Sequence, residues 1–320
     1  MDTIISTDSE LAARFLLSGN TVAIPTETVY GLAANALDPE AVTRIFEAKM
    51  RPLFDPLIVH LHSADQMDLY AENITDKARI LAEQFWPGPI TIVVKRNRLI
   101  PDLVTSGMDS VGLRVPNHAL ALELLSSLPF PLAAPSANPF GYISPTSARH
   151  VYDQLKGRIP LILDGGSCQI GVESTIVNCI GDEVEILRLG GIPVADIQNA
   201  IGHVKVRPQS TDNPTAMQAP GMLVSHYSPR KKMVIGRIDK ILSENPNLIC
   251  GVLSFKTNYD VPVKRVLSPG GDLRIAAQNL FGMMRELDAS EIDLIVAELV
   301  PEDGLGLAIN DRLNRAAAKD

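Results

Sequence analysis

Four cations are set apart by their surroundings. Lys49 and Arg51 close a helical pattern, Arg114 lies inside the apolar stretch VGLRVP, and Arg188 falls near a strand end before Gly190-Gly191. An arginine among apolar neighbours either snorkels its head to water or pairs with an anion. Beside these cations stand short hydroxyl residues: Thr28, Ser110, Ser136, Ser144 and Ser174. The segment from Pro135 through Asn138, Gly141 and Thr146 is punctuated by proline and glycine, which suits close backbone approach to phosphates; by composition alone it is also an ordinary turn cluster. His60 ends PLIVH and is followed by His62, a pairing that lacks an evident third ligand for a metal. No GxxxxGK[ST] is present, and no Ser/His/Asp or Cys/His arrangement has a recognisable local context. The chemistry left is the binding of anions and small polar ligands.

The elements that must position these groups are legible from periodicity. Residues 21–24 approach as a strand that Pro25 breaks, and Thr26-Glu27-Thr28 follows as a polar turn. From Pro39 onward Val42, Ile45, Phe46 and, at the last turn, Met50 recur at helical spacing, with Asp38 as cap and Pro39 in the first turn. Residues 56–60 return as a buried strand. Helices are expected over residues 9–17, stopped by Gly19, and over 75–85, stopped by Trp86-Pro87-Gly88-Pro89. Trp86, the single tryptophan, reads as a core anchor beside that turn. Strands are expected over 90–94, 111–116, 161–163, 176–178 and 185–189. Several deliver polar or cationic residues at their ends, the usual address of a ligand site in an α/β fold.

From 207 to 232 regular periodicity stops. Pro208, Pro214, Pro220, Gly221 and Pro229 mark a linker, yet residues 222–227 (MLVSHY) are too apolar for an idle tether and suit a lid over a cavity. Strands at 233–235, 248–254 and 292–298 and helices at 273–287 and 310–319 then alternate as in a small parallel α/β domain. Gly304-Leu305-Gly306 reads as a loop.

Composition narrows the function classes. A chain of 320 residues suits two domains, and 46% hydrophobic with 21% charged residues is ordinary for a globular protein. No run approaches the roughly 18 apolar residues of a membrane span. The acidic N-terminal residues Asp2, Asp8 and Glu10 do not make a signal peptide, so a cytoplasmic location is expected. Three scattered cysteines argue against a disulfide framework or a zinc site. A net charge of -8 speaks against general nucleic-acid binding and requires that an anionic substrate meet a local basic pocket.

The motifs PTETVYGL, KMRP with PLIVH, WPGPIT, GLRVPNH, APSANPFGYISPT, DGG, GVESTIV, ILRLGGI and APGMLVSHYSP run from Pro25 to Pro229. In content and order this chain resembles the YrdC/Sua5 family, the threonylcarbamoyl-AMP synthases that begin the t6A37 modification of tRNA, in its long Sua5 form. The resemblance implies an α/β chain: a YrdC-like domain (1–206) with a twisted mixed sheet and helices around a ligand cavity, a long linker or lid (207–232), and a small Rossmann-like C-terminal domain (233–320). It implies that L-threonine, bicarbonate and ATP, with Mg²⁺ on the phosphates, give threonylcarbamoyl-adenylate and pyrophosphate. Such phosphorus chemistry needs positioning and charge stabilisation more than a protein nucleophile.

Residue by residue, the resemblance places L-threonine on Thr28, His60, Arg114, Ala134 and Ser174. ATP falls to Lys49, Arg51, Asp55, Ser110, Ser136, Ser144, Arg188 and Tyr227, with Lys49 and Arg51 as the catalytic cations and no metal-ligating residue. Asp55 departs from the uncharged polar residue expected there, so it is expected to use its backbone or to point outward. Hand-over to the tRNA-modifying machinery, with weak or indirect tRNA contact and no membrane, completes the expectation. The alternatives are an RNA-binding module and a carbamoyltransferase with a YrdC-like domain. Low basic-aromatic content opposes the first, and the cysteine count opposes the second.

Overall fold

The computed structural model describes residues 2–181, 183–207 and 226–318. Residues 208–225, which hold most of the expected linker and Met222 of its apolar patch, lie outside them. Local signals act as expected near the N-terminus. The helix Ser9–Leu17 is capped by Asp8, which accepts from the Leu11 N–H at 2.9 Å. The helix Pro39–Lys49 starts under Asp38 with proline in its first turn. Met50, however, does not belong to its buried face: it closes the helix in the left-handed region (φ 54°) and is 65% exposed. A third capped helix, Asp76–Phe85, leads to Trp86, which is buried and donates its indole N–H to the Ile90 carbonyl at 3.0 Å.

Among the described residues, twelve strands join in the first sheet. In spatial order its main path is Ile4–Ser6, Leu161–Leu163, Val22–Ile24, Gly31–Asn35, Leu132–Ala133, Ile58–His60, Ser110–Arg114, Ile90–Arg96, Thr175–Asn178, Glu185–Arg188 and Lys205–Val206. The short strand Ala71–Glu72 pairs with Ile90–Arg96. Both parallel and antiparallel ladders occur along this path, as expected for a mixed sheet. Ile58–His60 and Ser110–Arg114 are parallel neighbours in a register that sets His60 directly opposite Arg114. The two faces of the sheet bury separate apolar clusters, Ala23 joining the larger one and its neighbours Val22 and Ile24 the other. The helices Ala148–Leu155 and Ala119–Ser126, absent from the sequence reading, pack into the first and the second respectively. No helix among the described residues is long and apolar enough to cross a membrane.

The C-terminal part holds a second sheet of four parallel strands, Lys232–Ile235, Leu294–Ala297, Cys250–Ser254 and Val263–Val266 in spatial order. Its layering is Rossmann-like, with the first strand at an edge. Val263–Val266 adds a strand to the three expected, and it is half-buried throughout, which blunts its apolar signal. Of the expected loop at Gly304-Leu305-Gly306, Gly304 and Leu305 form a turn, while Gly306 already opens the last helix, Gly306–Ala317. A side chain at Gly306 would meet the Pro301 carbonyl, so only glycine lets the helix start against that turn. The helix Leu273–Ala289 lies against the first domain, where its backbone approaches Gly171 too closely for any Cβ there. Val29, Ile143 and Val172 join one apolar cluster with Leu280, Phe281 and Met284.

After the strand Glu185–Arg188 the chain turns back under Glu173 and Ser174. Gly191 donates to the Glu173 carbonyl at 2.9 Å, and a Cβ on Gly190 would sit 2.4 Å from that same oxygen. The nearest atoms are backbone and cannot swing aside. Gly190→Ala is therefore expected to destabilise the chain by about 1–3 kcal/mol or more, as overpacking does. A urea midpoint equal to that of the parent would show that the turn yields freely.

Candidate active site

The turn between Val22–Ile24 and Gly31–Asn35 is buried although it is polar. The Thr26 hydroxyl organises it, accepting from the Thr28 and Val29 N–H groups at 3.2 Å and donating to the Val29 carbonyl at 2.6 Å. Glu27 is buried with it, and a buried carboxylate demands a counter-charge. Arg114 supplies this from the end of its strand: Nη2 lies 2.8 Å from Glu27 Oε2 and donates to Thr28 Oγ1 at 2.9 Å. Arg114 Nε is buried without a hydrogen-bond partner, leaving a donor for an incoming anion. Beside it, burial and the neighbouring arginine push the His60 imidazole down to about 3, so the ring is neutral at physiological pH. His62 is exposed while His60 is buried, so the two do not share a site.

The facing wall is built on Ser174. Arg188 donates from Nε and Nη2 to the Ser174 carbonyl (3.2 and 2.9 Å) and from Nη2 to its hydroxyl (3.1 Å), which also meets Thr91 Oγ1 at 2.8 Å. Glu173 adjoins it and accepts from Ser144 Oγ at 2.6 Å. Burial raises the Glu173 carboxyl, but Arg312, Arg188 and the Ser144 hydrogen bond outweigh burial and hold it below the usual range. Arg51 forms the third side, donating to the carbonyls of Asp55 (3.1 Å) and Pro56 (2.9 Å). Its Nη2 also lies 2.8 Å from Asp55 Oδ2.

Asp55 thus corrects the sequence reading. It does not point outward: it is fully buried and pairs with Arg51 through its side chain, besides offering its carbonyl. Burial pushes its carboxyl up, against the pull of Arg51, Lys49 and Arg188.

These walls enclose a cavity of about 50 Å³. His60, Arg114, Ala134 and Ser174 line it, as do Arg51, Ser136, Arg188 and Tyr227. Thr28 stands behind Arg114 and orients it. Lys49 is buried behind the wall, with Nζ donating to the Ser136 carbonyl at 2.5 Å and to the Asn138 carbonyl. Burial, with Arg51 next, lowers its pKa. Ser144 likewise acts behind Glu173. Ser110 is not in this lining; it opens an adjoining slot with Val93, Gly112 and Ile176, which shares Ile58 with the cavity. Thr26, Glu173 and His226 line the cavity although the sequence reading had given them no site role.

Tyr227 closes the cavity from the segment that leads to the second domain. Its ring stacks on Phe281 (5.5 Å between centroids) and lies beside His226 (4.1 Å). The backbone of Tyr227 is left-handed (φ 63°), uncommon for a bulky residue and held here by surrounding contacts.

Buried arginines on facing walls, a neutral histidine at a strand end and hydroxyls on turns make this an α/β enzyme site for small anionic ligands. Comparison with known proteins narrows the class. The Sua5/YciO/YrdC family profile, described under telomere recombination, matches residues 14–190, and the profile of the threonylcarbamoyl-AMP synthase C-terminal domain matches 192–318. The threonylcarbamoyl-AMP synthase of Pyrococcus abyssi is 42% identical, covering 96% of this chain and 93% of its own. That of Bacillus subtilis is 38% identical, covering 99% and 95%. The crystal structure of P. abyssi Sua5 complexed with L-threonine superposes with a TM-score of 0.93 at 40% identity, covering 99% of this chain and 98% of that one. The chain belongs to the Sua5 family of threonylcarbamoyl-AMP synthases. Neither an RNA-binding module nor a carbamoyltransferase accounts for a match that extends through both halves.

The buried histidines make a prediction. Burial lowers His60 and His226 to about 3 and His150 to about 4 from an ordinary 6.5. The unfolded chain therefore takes up protons first as pH falls, so stability is full above about 6.5 and declines below it by about 1.4 kcal/mol per pH unit for each histidine. Urea midpoints should fall between pH 7.5 and 5.5, and less steeply in His226→Asn. A flat midpoint across that window would contradict the assignment.

Proposed function

We propose that this cavity makes threonylcarbamoyl-adenylate from L-threonine, bicarbonate and ATP. The observation that carries this reading is the register of His60 with Arg114 at the cavity wall, where Arg114 donates to Thr28 and keeps its Nε without a hydrogen-bond partner, in a cavity also lined by Ser174 and Arg188. In this reading Arg114 grips the threonine carboxylate in the two-pronged manner of arginine, while Thr28, His60, Ala134 and Ser174 shape its surroundings. A neutral His60 adds a hydrogen-bonding edge without competing for that carboxylate. Bicarbonate and the threonine amine give a carbamate with loss of water. A carbamate oxygen then bonds to the α-phosphorus of ATP as the bond to the β-phosphate oxygen breaks, and pyrophosphate leaves with the electron pair.

Arg51 and Arg188 place fixed positive charge where charge builds on the polyphosphate, the usual route to a lower barrier in such transfers. Ser136 meets the nucleotide directly, Lys49 and Ser144 support from behind, and Ser110 serves through the adjoining slot. Asp55 sets Arg51 in place. Mg²⁺ enters this scheme on the ATP phosphates: Asp55 and Glu173 are already paired with arginines, and among the described residues no cluster of three or more His, Cys, Asp or Glu could hold a resident ion. The product is a reactive mixed anhydride that passes to the machinery modifying adenosine 37 of tRNA, in the cytoplasm, with little direct tRNA contact from this acidic chain.

Product analysis after incubation with ATP, bicarbonate and L-threonine tests the reading: threonylcarbamoyl-AMP and pyrophosphate are expected in equal amounts. ADP with phosphate, or no threonine-dependent product, would overturn it. Arg114→Ala should weaken L-threonine binding by about 2–5 kcal/mol, the scale for truncating one partner of a buried charge pair. Unchanged affinity in calorimetry would remove Arg114 from the threonine site.

Tyr227 is the lid of this scheme. The cavity is small as it stands, and Tyr227 and His226 form part of its wall, so their movement would widen it for a nucleotide. Closing again shields the anhydride from water. Tyr227→Ala is expected to keep the fold, raise the ATP requirement and release more hydrolysed product per turnover. Wild-type kinetics and product partition in that variant would exclude the lid.

A further inference from the structure

The last helix places a fully buried arginine against the catalytic wall. Arg312 Nε donates to Glu173 Oε2 at 3.0 Å across a sequence separation of 139 residues. Its Nη1 donates to Asp311 Oδ2 at 2.7 Å, and its guanidinium carbon sits 5.2 Å from the centre of the Tyr227 ring. Nη2 has no hydrogen-bond partner, so the side chain is placed here against the full desolvation penalty of one donor. Glu173 uses its other oxygen on Ser144, whose carbonyl is in turn held by Arg285 of the helix Leu273–Ala289 at 3.2 Å. Both ends of the Ser144–Glu173 pair are thus gripped by arginines of the C-terminal domain.

The electrostatic consequence is specific. Glu173 lines the cavity that the reading above gives to ATP, where a bare carboxylate would repel polyphosphate. The charged and titratable groups that face it are Arg312 with Asp311 and Arg315 from the last helix, Arg188 from its neighbouring strand, and His226 and Tyr227 from the lid. With Arg312 in place the carboxylate is ionised, neutralised and has both oxygens occupied. Without it, Arg188 would be drawn from Ser174 toward Glu173, or Glu173 would take up a proton.

We propose that Arg312 is a positioning residue of the synthase site, through which the C-terminal domain neutralises and orients Glu173 and backs Tyr227, so that the nucleotide side of the cavity is electrically complete only when the two domains are docked. This rests on the ATP assignment of the cavity, and product formation by the parent chain, measured in parallel, tests that assignment separately.

The test uses the full-length chain carrying Arg312→Gln, Glu173→Gln and both, with initial rates against ATP and against L-threonine from pH 5.5 to 9. Removing an opposite charge at this distance moves a carboxyl up by about 1–3 pH units, so Arg312→Gln is expected to displace the acid side of the kcat/KM profile for ATP: the loss is largest where Glu173 is ionised and shrinks as pH falls through its raised titration, a limb the parent lacks. At neutral pH the same variant should lose at least about tenfold in kcat/KM for ATP, with a smaller change in the KM for L-threonine. Glu173→Gln in that background should abolish the displaced limb and restore part of the rate. A merely structural Arg312 would lower the amount of active enzyme and leave the acid side unmoved, with additive losses in the double variant; that result overturns the proposal. Should Arg312→Gln fail to fold, Glu173→Gln alone decides, since it leaves the C-terminal domain intact. At least about a tenfold loss for ATP supports the proposal, the scale of one displaced buried charge, and kinetics near the parent overturn it.

Discussion

The buried charge of Arg114 is the constraint on which the site depends. A guanidinium at the end of an apolar strand cannot be desolvated unless a carboxylate meets it, and the chain brings Glu27 to 2.8 Å for that purpose. That demand fixes the buried turn holding Thr26, Glu27 and Thr28, and with it the exit from the first hairpin. Because the strands ending in His60 and Arg114 are parallel neighbours, the same pairing also places the imidazole beside the cation, which adds to burial in holding it neutral. One ion pair therefore sets the shape and the charge of the wall.

The rest of the cavity repeats this device with different partners. Arg51 is matched to Asp55, and Glu173 to Arg312, while Arg188 cradles the Ser174 backbone and hydroxyl. Breaking any one of the ion pairs would leave an uncompensated buried charge, which costs far more than the intact pair contributes. Lys49 shows the same economy of placement: its ammonium ties the carbonyls of Ser136 and Asn138, so the loop that faces the nucleotide in our reading is held from behind by a cation.

The second domain is consequently more than an appendage. Its long helix packs on the catalytic domain at Gly171, where no side chain would fit, and stacks Phe281 under Tyr227. Its arginines reach Ser144 and Glu173. An apolar cluster shared by the two domains supplies the burial that keeps these polar contacts dry.

Sequence alone determined the elements whose signals are local. Asp38 before Pro39, the 3.6-residue spacing of Val42, Ile45 and Phe46, and the break at Trp86-Pro87 each act within one turn of chain, and the helices formed where those signals stood. The motifs in family order likewise made the family and the arginines legible. Tertiary structure decided what depends on register and distance. Glu27 as the partner of Arg114, Glu173 as a cavity residue and Arg312 as its counter-ion carry no periodic signature, because their partners lie 87 and 139 residues away and are chosen by strand pairing and domain docking. The direction of Asp55 was decided by Arg51, four residues earlier, whose buried guanidinium drew the carboxylate inward. The strand Val263–Val266 was hidden because it is only half-buried, and an edge strand that faces partial solvent needs no clean alternation of apolar residues.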